Sequence, residues 1–308
     1  MYAYLVNIIT TTNKHMITNF LNYLQYEKRS SIHTISAYEN DLKQFSQFCI
    51  NHLGVDQEDF DSTQVKFDTV RAWVVQLIDN KITPRSVNRK IASINAYYKF
   101  LLQRELIKEL PTKKLKALKL SKRLPSFVKQ NEIDHLFDIS LFADNKYPER
   151  DKLIIELLYG TGIRLSELIN IKVSDINFAN NTLKVLGKRN KERLIPLHLE
   201  LLESLKLFIA NQNKTEDSYL ITTPKNLKAY PSMIQKIVKV YLTKASSSEK
   251  KSPHVLRHTF ATHLLNNGAE LNAIKDLLGH SNLAATQIYT HNSISRLKKI
   301  FNKTHPKS

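Results

Sequence analysis

Apolar side chains recur every three to four positions through the first hundred residues, which commits that stretch to helices with one buried face. Phe20, Leu21, Tyr23 and Leu24 mark the first. Thr34 can cap a second, with Ile35, Tyr38, Leu42, Phe45 and Phe48 on one side. Val70, Trp73, Val74 and Leu77 mark a third. A fourth opens with Thr83 as N-cap and Pro84 at the first helical position, and it buries Ile91, Ile94, Tyr98 and Leu101. Its start also carries Arg85, Asn88, Arg89 and Lys90. Those side chains are either the wet face of a bundle helix or a basic and amide surface turned toward nucleic acid.

The second half reads as helix, helix, small sheet, helices. Helices span 151–159 and 164–170, with Gly160-Thr161-Gly162 as the turn between them. Strand patterns follow in VSDINF, TLKVL and RLIPL, with inward positions at Leu183, Val185 and Leu194. The tip of the hairpin carries Lys188, Arg189 and Lys191. Ser252 and Pro253 open a further helix, and Gly268 and Gly279 sit where helices end.

The charge balance speaks of partners rather than fold. The 308 residues hold 46 Lys and Arg against 28 Asp and Glu, a net +18. Residues 1–118 carry 16 basic and 11 acidic side chains, and residues 119–308 carry 30 and 17. Near the junction, Thr112–Arg123 holds Lys113, Lys114, Lys116, Lys119, Lys122 and Arg123 and no acid. Such a run is a solvated linker or a strap along phosphates, and the total charge favours the strap. One cysteine, Cys49, leaves no internal disulfide framework and no cysteine-rich zinc site. The opening MYAYLVNII lacks a basic leader, and no apolar run reaches membrane-spanning length, so the expected compartment is the cytoplasm. With six glycines and neither GxxxxGKS/T nor GxGxxG, the chain has no phosphate loop of a nucleotide enzyme.

Three segments carry the chemistry: TGIRLSEL with Arg164 and Glu167, SPHVLRHTFATHLL with His254 and Arg257, and LLGHSNLAATQIYTH with His280 and Tyr289. His254 and Arg257 share a face in the first turn of a helix, where the dipole favours an anion. Two arginines, two histidines, a hairpin lysine and a tyrosine suit phosphodiester chemistry without a metal. Arginine forks can hold nonbridging oxygens, and a phenol can attack once a base and a field of cations activate it. Each residue alone has a plainer reading. Arg164 with Glu167 is a surface ion pair, Tyr289 a core aromatic and Lys188 a turn lysine. His254 and His258 have metal-ligand spacing, but HExxH is absent, and no metal is expected.

In order and spacing, TGIRLSELINI, LGKRNKERLIPL, SPHVLRHTFATHLLNNGAEL and LLGHSNLAATQIYTH resemble the motifs of the tyrosine recombinases, the phage-integrase family, and the Xer recombinases most of all. MITNFLNYLQYEKRSSIHTISAYENDL is similar to the start of their core-binding domains, so the resemblance runs from Met16 to the C-terminus. It implies a mainly α chain. A SAM-like helical core-binding domain (16–110) would be joined by a basic linker (111–125) to a mostly helical catalytic domain (126–308) with a small antiparallel sheet, the DNA breaking-rejoining fold, together a C-shaped DNA clamp. Residues 1–15 have no counterpart, and the expectation is a natural start at Met16 or a disordered extension.

The resemblance also implies roles. Arg164 and Arg257 would clamp the scissile phosphate, Lys188 would protonate the 5′-oxygen, and His254 and His280 would bond the phosphate and assist proton transfer. Glu167 would support that framework, and Tyr289 would attack to give a 3′-phosphotyrosine. No cofactor is needed. Arg85, Asn88, Arg89, Lys90, Lys113, Lys114, Lys116 and Arg189 are the candidate DNA contacts. The implied partners are double-stranded DNA with inverted half-sites, a homo- or hetero-tetramer with another recombinase, and a division-associated DNA translocase; no membrane is involved. Ile294, Leu297, Ile300 and Phe301 give the C-terminal helix an apolar face, either for docking on a neighbouring protomer or for packing on its own domain. The expected task is chromosome-dimer resolution. The alternatives are an integrase or invertase of a mobile or phase-variable element and a type IB topoisomerase-like nicking-closing enzyme.

Overall fold

The fold comes from a computed structural model that describes residues 15–120, 127–187, 191–279, 297 and 300–305. The chain divides into two compact units, Met1–Arg123 and Leu124–Ser308.

The first unit is helical. Helix α1 (15–22) runs into a π turn over Tyr23–Glu27. Helices α2 (Ile32–Leu53), α3 (Phe67–Asp79) and α4 (Pro84–Gln103) complete it. Their apolar faces meet around Phe45, Trp73, Tyr97 and Tyr98, with the Phe45 and Trp73 rings edge to face at 4.9 Å. Thr83 caps α4 by accepting from Ser86 N at 3.4 Å, with Pro84 behind it. Helix α2 starts three residues earlier than Thr34 suggests: Ser31 Oγ accepts from Thr34 N at 3.2 Å, and Thr34 lies inside the helix.

Polar contacts revise two expectations in this unit. Lys90 is not a surface cation. Its ammonium is buried and bonds Asp41 Oδ1 at 3.1 Å and Gln44, while Asp41 also takes Ser93 Oγ at 2.8 Å and pairs with Arg89. A buried charge of this kind persists only when paired. Asn88 spends its amide on Leu118, donating to the carbonyl at 2.9 Å and accepting from the backbone N at 2.7 Å. Thr112 bonds Asn95 at 2.7 Å, and Leu110, Leu115 and Leu118 pack on the first unit's core. The opening of the basic run is therefore part of the first unit, with Lys113, Lys114 and Lys116 exposed on it.

The second unit contains α5 (Gln130–Leu136), α6 (Pro148–Thr161), α7 (Leu165–Leu168), α8 (Leu199–Asn211), α9 (Pro231–Ala245), α10 (Pro253–Asn266) and α11 (Leu271–Leu278). Between α7 and α8 lies an antiparallel sheet of order β1 (Ile176–Asn177), β2 (Thr182–Leu186), β3 (Glu192–Pro196). VSDINF yields only two strand residues, because Asp175 Oδ2 accepts from Lys172 N at 2.9 Å and holds Val173–Asp175 in a 3₁₀ turn. Helix α6 runs through Gly160 and Thr161 and ends at Gly162, one residue rather than a three-residue turn. In β3 the inward positions are Arg193 and Ile195, paired across from Val185 and Leu183, and Leu194 is only half-buried. Leu297 and Phe301 are buried in this unit's own core, with Ile300 packed against it; Ile294 lies outside the described residues. Among the described residues, no helix is long and apolar enough to cross a membrane.

Candidate active site

Helices α6, α10 and α11 converge at their ends, and the convergence places two of the candidate arginines together. Helix α10 buries Val255, Leu256, Phe260 and Leu264, which leaves Arg257 half-buried and His254 exposed. Arg257 donates through Nη1 to the carbonyl of Gly162, the last residue of the α6 end, and through Nη2 to Leu278 O at 2.6 Å. Arg164 follows that α6 end and precedes α7. It donates through Nη2 to Gly279 O at 2.9 Å and through Nη1 to Glu167 Oε1 at 2.8 Å. Arg164 and Arg257 thus sit on successive carbonyls at the C-terminus of α11, the negative end of its dipole.

Glu167 is far from a surface partner. Its side chain is 2% exposed, and its carboxylate accepts from Arg164 N at 2.7 Å as well as from the Arg164 guanidinium. It also takes a two-pronged pair from Arg193, Nη1 at 2.7 Å on Oε1 and Nη2 at 2.9 Å on Oε2. Burial alone would raise this carboxyl; the bonds and charge of Arg193, then of Arg164, hold it below the ordinary carboxylate range. The expected i,i+3 ion pair is therefore present, but as part of a buried three-residue network.

Three arginines face one carboxylate here, so positive charge is in excess. Arg257 registers it: burial first, and then the neighbouring Arg164, bring its guanidinium down to about 10. It is still cationic at neutral pH. A half-buried pair of like charges of this kind is suited to an anion with two oxygens to share.

A cleft of about 420 Å³ is lined by Leu165, which follows Arg164 in the chain, by His254 with Lys251, Ser252 and Pro253 before it, and by Ser232, Gln235, Lys236 and Lys239. The face that α9 gives it carries lysines and amide and hydroxyl groups, and α9 contains no acidic residue. These lysines and Arg193 were not singled out in the sequence. The acid-free helix was a visible signal for the lysines. Arg193 had only the period-two alternation of β3, which places it on the inward side with Ile195.

Lys188 and Arg189, which fall between β2 and β3 in sequence, and His280 and Tyr289, which follow α11, lie outside the described residues. Arg85 is exposed, and Arg89 is half-exposed beside Asp41.

Comparison with known proteins agrees with this architecture. Residues 126–296 match the model of the phage integrase family, and residues 17–105 match that of the phage integrase N-terminal SAM-like domain. The tyrosine recombinase XerC of Chlorobaculum parvum is 38% identical, over 93% of each chain. That of Bacillus pumilus is 35% identical, over 96% of this chain and 98% of the relative. Among solved structures, the Tn1549 transposon integrase in complex with transposon right end DNA superposes with a TM-score of 0.69 at 18% identity, over 92% of this chain and 98% of the other. A lambda integrase dimer bound to a COC′ core site gives 0.65 at 18% identity, over 87% and 95%. Taken with the arginine pair and the two-unit helical fold, these matches place the chain in the phage integrase family, as a site-specific DNA recombinase of the tyrosine class.

Proposed function

We propose that this recombinase breaks and rejoins double-stranded DNA through a 3′-phosphotyrosine link, and that its task is resolution of chromosome dimers. The observation that carries the mechanism is the arginine pair. Arg164 and Arg257 hold more positive charge at the end of α11 than Glu167 can neutralise, which suits a phosphodiester whose charge grows as it becomes pentavalent. In this reading their forks take the two nonbridging oxygens, and His254 and His280 complete the set of donors. The Tyr289 oxygen attacks phosphorus, and its proton passes to a base. The bond from phosphorus to the 5′-oxygen breaks, and Lys188 supplies the proton that leaves a 5′-hydroxyl. Attack by the 5′-hydroxyl of a partner strand reverses the step and completes exchange. The phosphodiester energy is kept in the covalent link, so neither nucleotide nor metal is consumed.

The net +18 charge supports a DNA substrate. Arg85, Arg89, Lys113, Lys114 and Lys116 are exposed where α4 and the segment pinned to it by Asn88 and Asn95 meet, a surface fitted to phosphates. Arg189 would add a contact from the second unit. Lys90 is excluded by its burial, and Asn88 serves the fold. A lambda integrase tetramer bound to a Holliday junction shares the fold, with a TM-score of 0.65 at 18% identity over 89% of this chain and 80% of the other, which supports a multimer on DNA; in this reading it is a tetramer on two synapsed sites, each with inverted half-sites. The XerC relatives at 34–38% identity support an Xer-type recombinase; in this reading the task is chromosomal, with a second recombinase and a division-associated translocase as partners in the cytoplasm.

The test is strand exchange. Two duplexes carrying a site from the replication-terminus region, incubated with the protein and a companion recombinase, should yield recombinant products without ATP or added metal. Exchange confined to DNA flanking the gene would replace the chromosomal task with that of a mobile or invertible element. Relaxation of supercoiled plasmid with no exchange at any site would indicate a nicking-closing enzyme.

A further inference from the structure

Three consecutive carbonyl groups close α11, and each accepts from a different arginine: Leu277 O from Arg193 Nε at 3.0 Å, Leu278 O from Arg257 and Gly279 O from Arg164. The last carbonyls of a helix lack intrahelical partners, so these bonds satisfy groups that would otherwise need water. Arg193 differs from the other two. It is 4% exposed, and both of its terminal nitrogens are committed to Glu167. Backbone packs closely on it. A side chain at position 279 would come within 3.2 Å of Arg193 Cδ and Nη1, and one at 187 within 3.5 Å of Nη1; glycine occupies both positions. Gly279 also has φ +64°, which suits glycine for a second reason. A guanidinium sealed in this way cannot reach DNA.

We propose that Arg193 is a positioning residue for strand cleavage. It fixes both oxygens of Glu167 and the end of α11, and these are the two surfaces on which the Arg164 guanidinium rests. The proposal rests on the reading of Arg164 as a ligand of the scissile phosphate. Lysine cannot replace Arg193, because one ammonium cannot bridge both carboxylate oxygens and Leu277 O in a fixed plane. In Arg193→Lys, Glu167 and Gly279 O remain, but nothing holds them in register for Arg164.

Arg193→Lys and Arg193→Gln in the full chain test this. Three quantities are measured: DNA affinity at fixed salt, thermal midpoint, and the rate of covalent adduct formation on a suicide duplex. The duplex carries either the natural scissile phosphate or a neutral methylphosphonate. The expected result is affinity within about threefold of wild type, because phosphate contacts elsewhere dominate binding. Adduct formation on the natural phosphate should fall roughly 30-fold or more, the scale of a misplaced charge-stabilising donor. On the methylphosphonate, which presents no anionic charge to hold, the gap should close to about threefold. An equal loss on both substrates, no loss on either, or failure of both variants to fold would overturn the proposal and leave Arg193 a stability residue. If wild type itself forms no adduct on either substrate, the reading of Arg164 fails instead.

Discussion

Alanine at position 257 should slow strand cleavage by roughly 10²–10³-fold, about 2.7–4 kcal/mol of barrier, the cost of removing one preorganised donor from a site of developing charge. Binding to a whole recombination site should change far less, because many phosphate contacts contribute to it and Arg257 is one. The reason lies in the fixed geometry of the side chain. Arg257 is anchored to Gly162 O and Leu278 O, so its guanidinium is held in place before any substrate arrives. It also carries an unfavourable interaction with Arg164 that a bound phosphate would relieve. Single-turnover cleavage on a suicide duplex, measured beside a gel-shift affinity, separates the two effects. A variant that loses affinity and cleavage in equal proportion would mean that Arg257 binds ground state and transition state alike.

Gly162→Ala should cost about 2–5 kcal/mol, combining about 1–2 kcal/mol for a left-handed non-glycine residue with about 1–3 kcal/mol for overpacking. At position 162 φ is +62°, and an added Cβ would lie 2.4 Å from Phe260 Cδ1 and 2.8 Å from Leu278 Cδ2. Both neighbours are fully buried or nearly so, and neither can swing into solvent. For a unit of this size that corresponds to a thermal midpoint lower by roughly 4–20 °C. The same change displaces the carbonyl that anchors Arg257, so cleavage should fall even below the melting range. A midpoint within a degree or two of wild type would show that α10 and α11 yield more readily than their packing suggests.

What the sequence revealed was mostly what local spacing controls. Helices α3 and α4 follow from apolar periodicity, a Thr-Pro start and a run long enough to outweigh alternatives. The grouping of Arg164 with Arg257 came from motif order, since the two are far apart in the chain and nothing local brings them together. Where the reading failed, a partner distant in sequence decided the outcome. Lys90 looked like a surface cation at the start of a helix, but Asp41, on another helix, draws it inside. Arg193 is a charged residue in a short strand, and the buried Glu167 of α7 together with the carbonyl of Leu277 accounts for its inward position. Gly160 reads as a turn residue, yet α6 passes through it, and glycine suits the position because a Cβ there would lie 3.1 Å from His198 Nε2 of the next packed segment. A local signal was simply misplaced at Thr34, where two hydroxyl residues three apart could each cap α2 and the earlier one does.

The most direct test of the account is the covalent link itself. A suicide duplex nicked near the cleavage point, incubated with the full chain and denatured in SDS, should yield a protein–DNA adduct whose nucleotide-bearing peptide contains Tyr289. Tyr289→Phe should retain site binding and give no adduct. An adduct that persists in Tyr289→Phe, or one mapped to another residue, would contradict the assignment of the nucleophile.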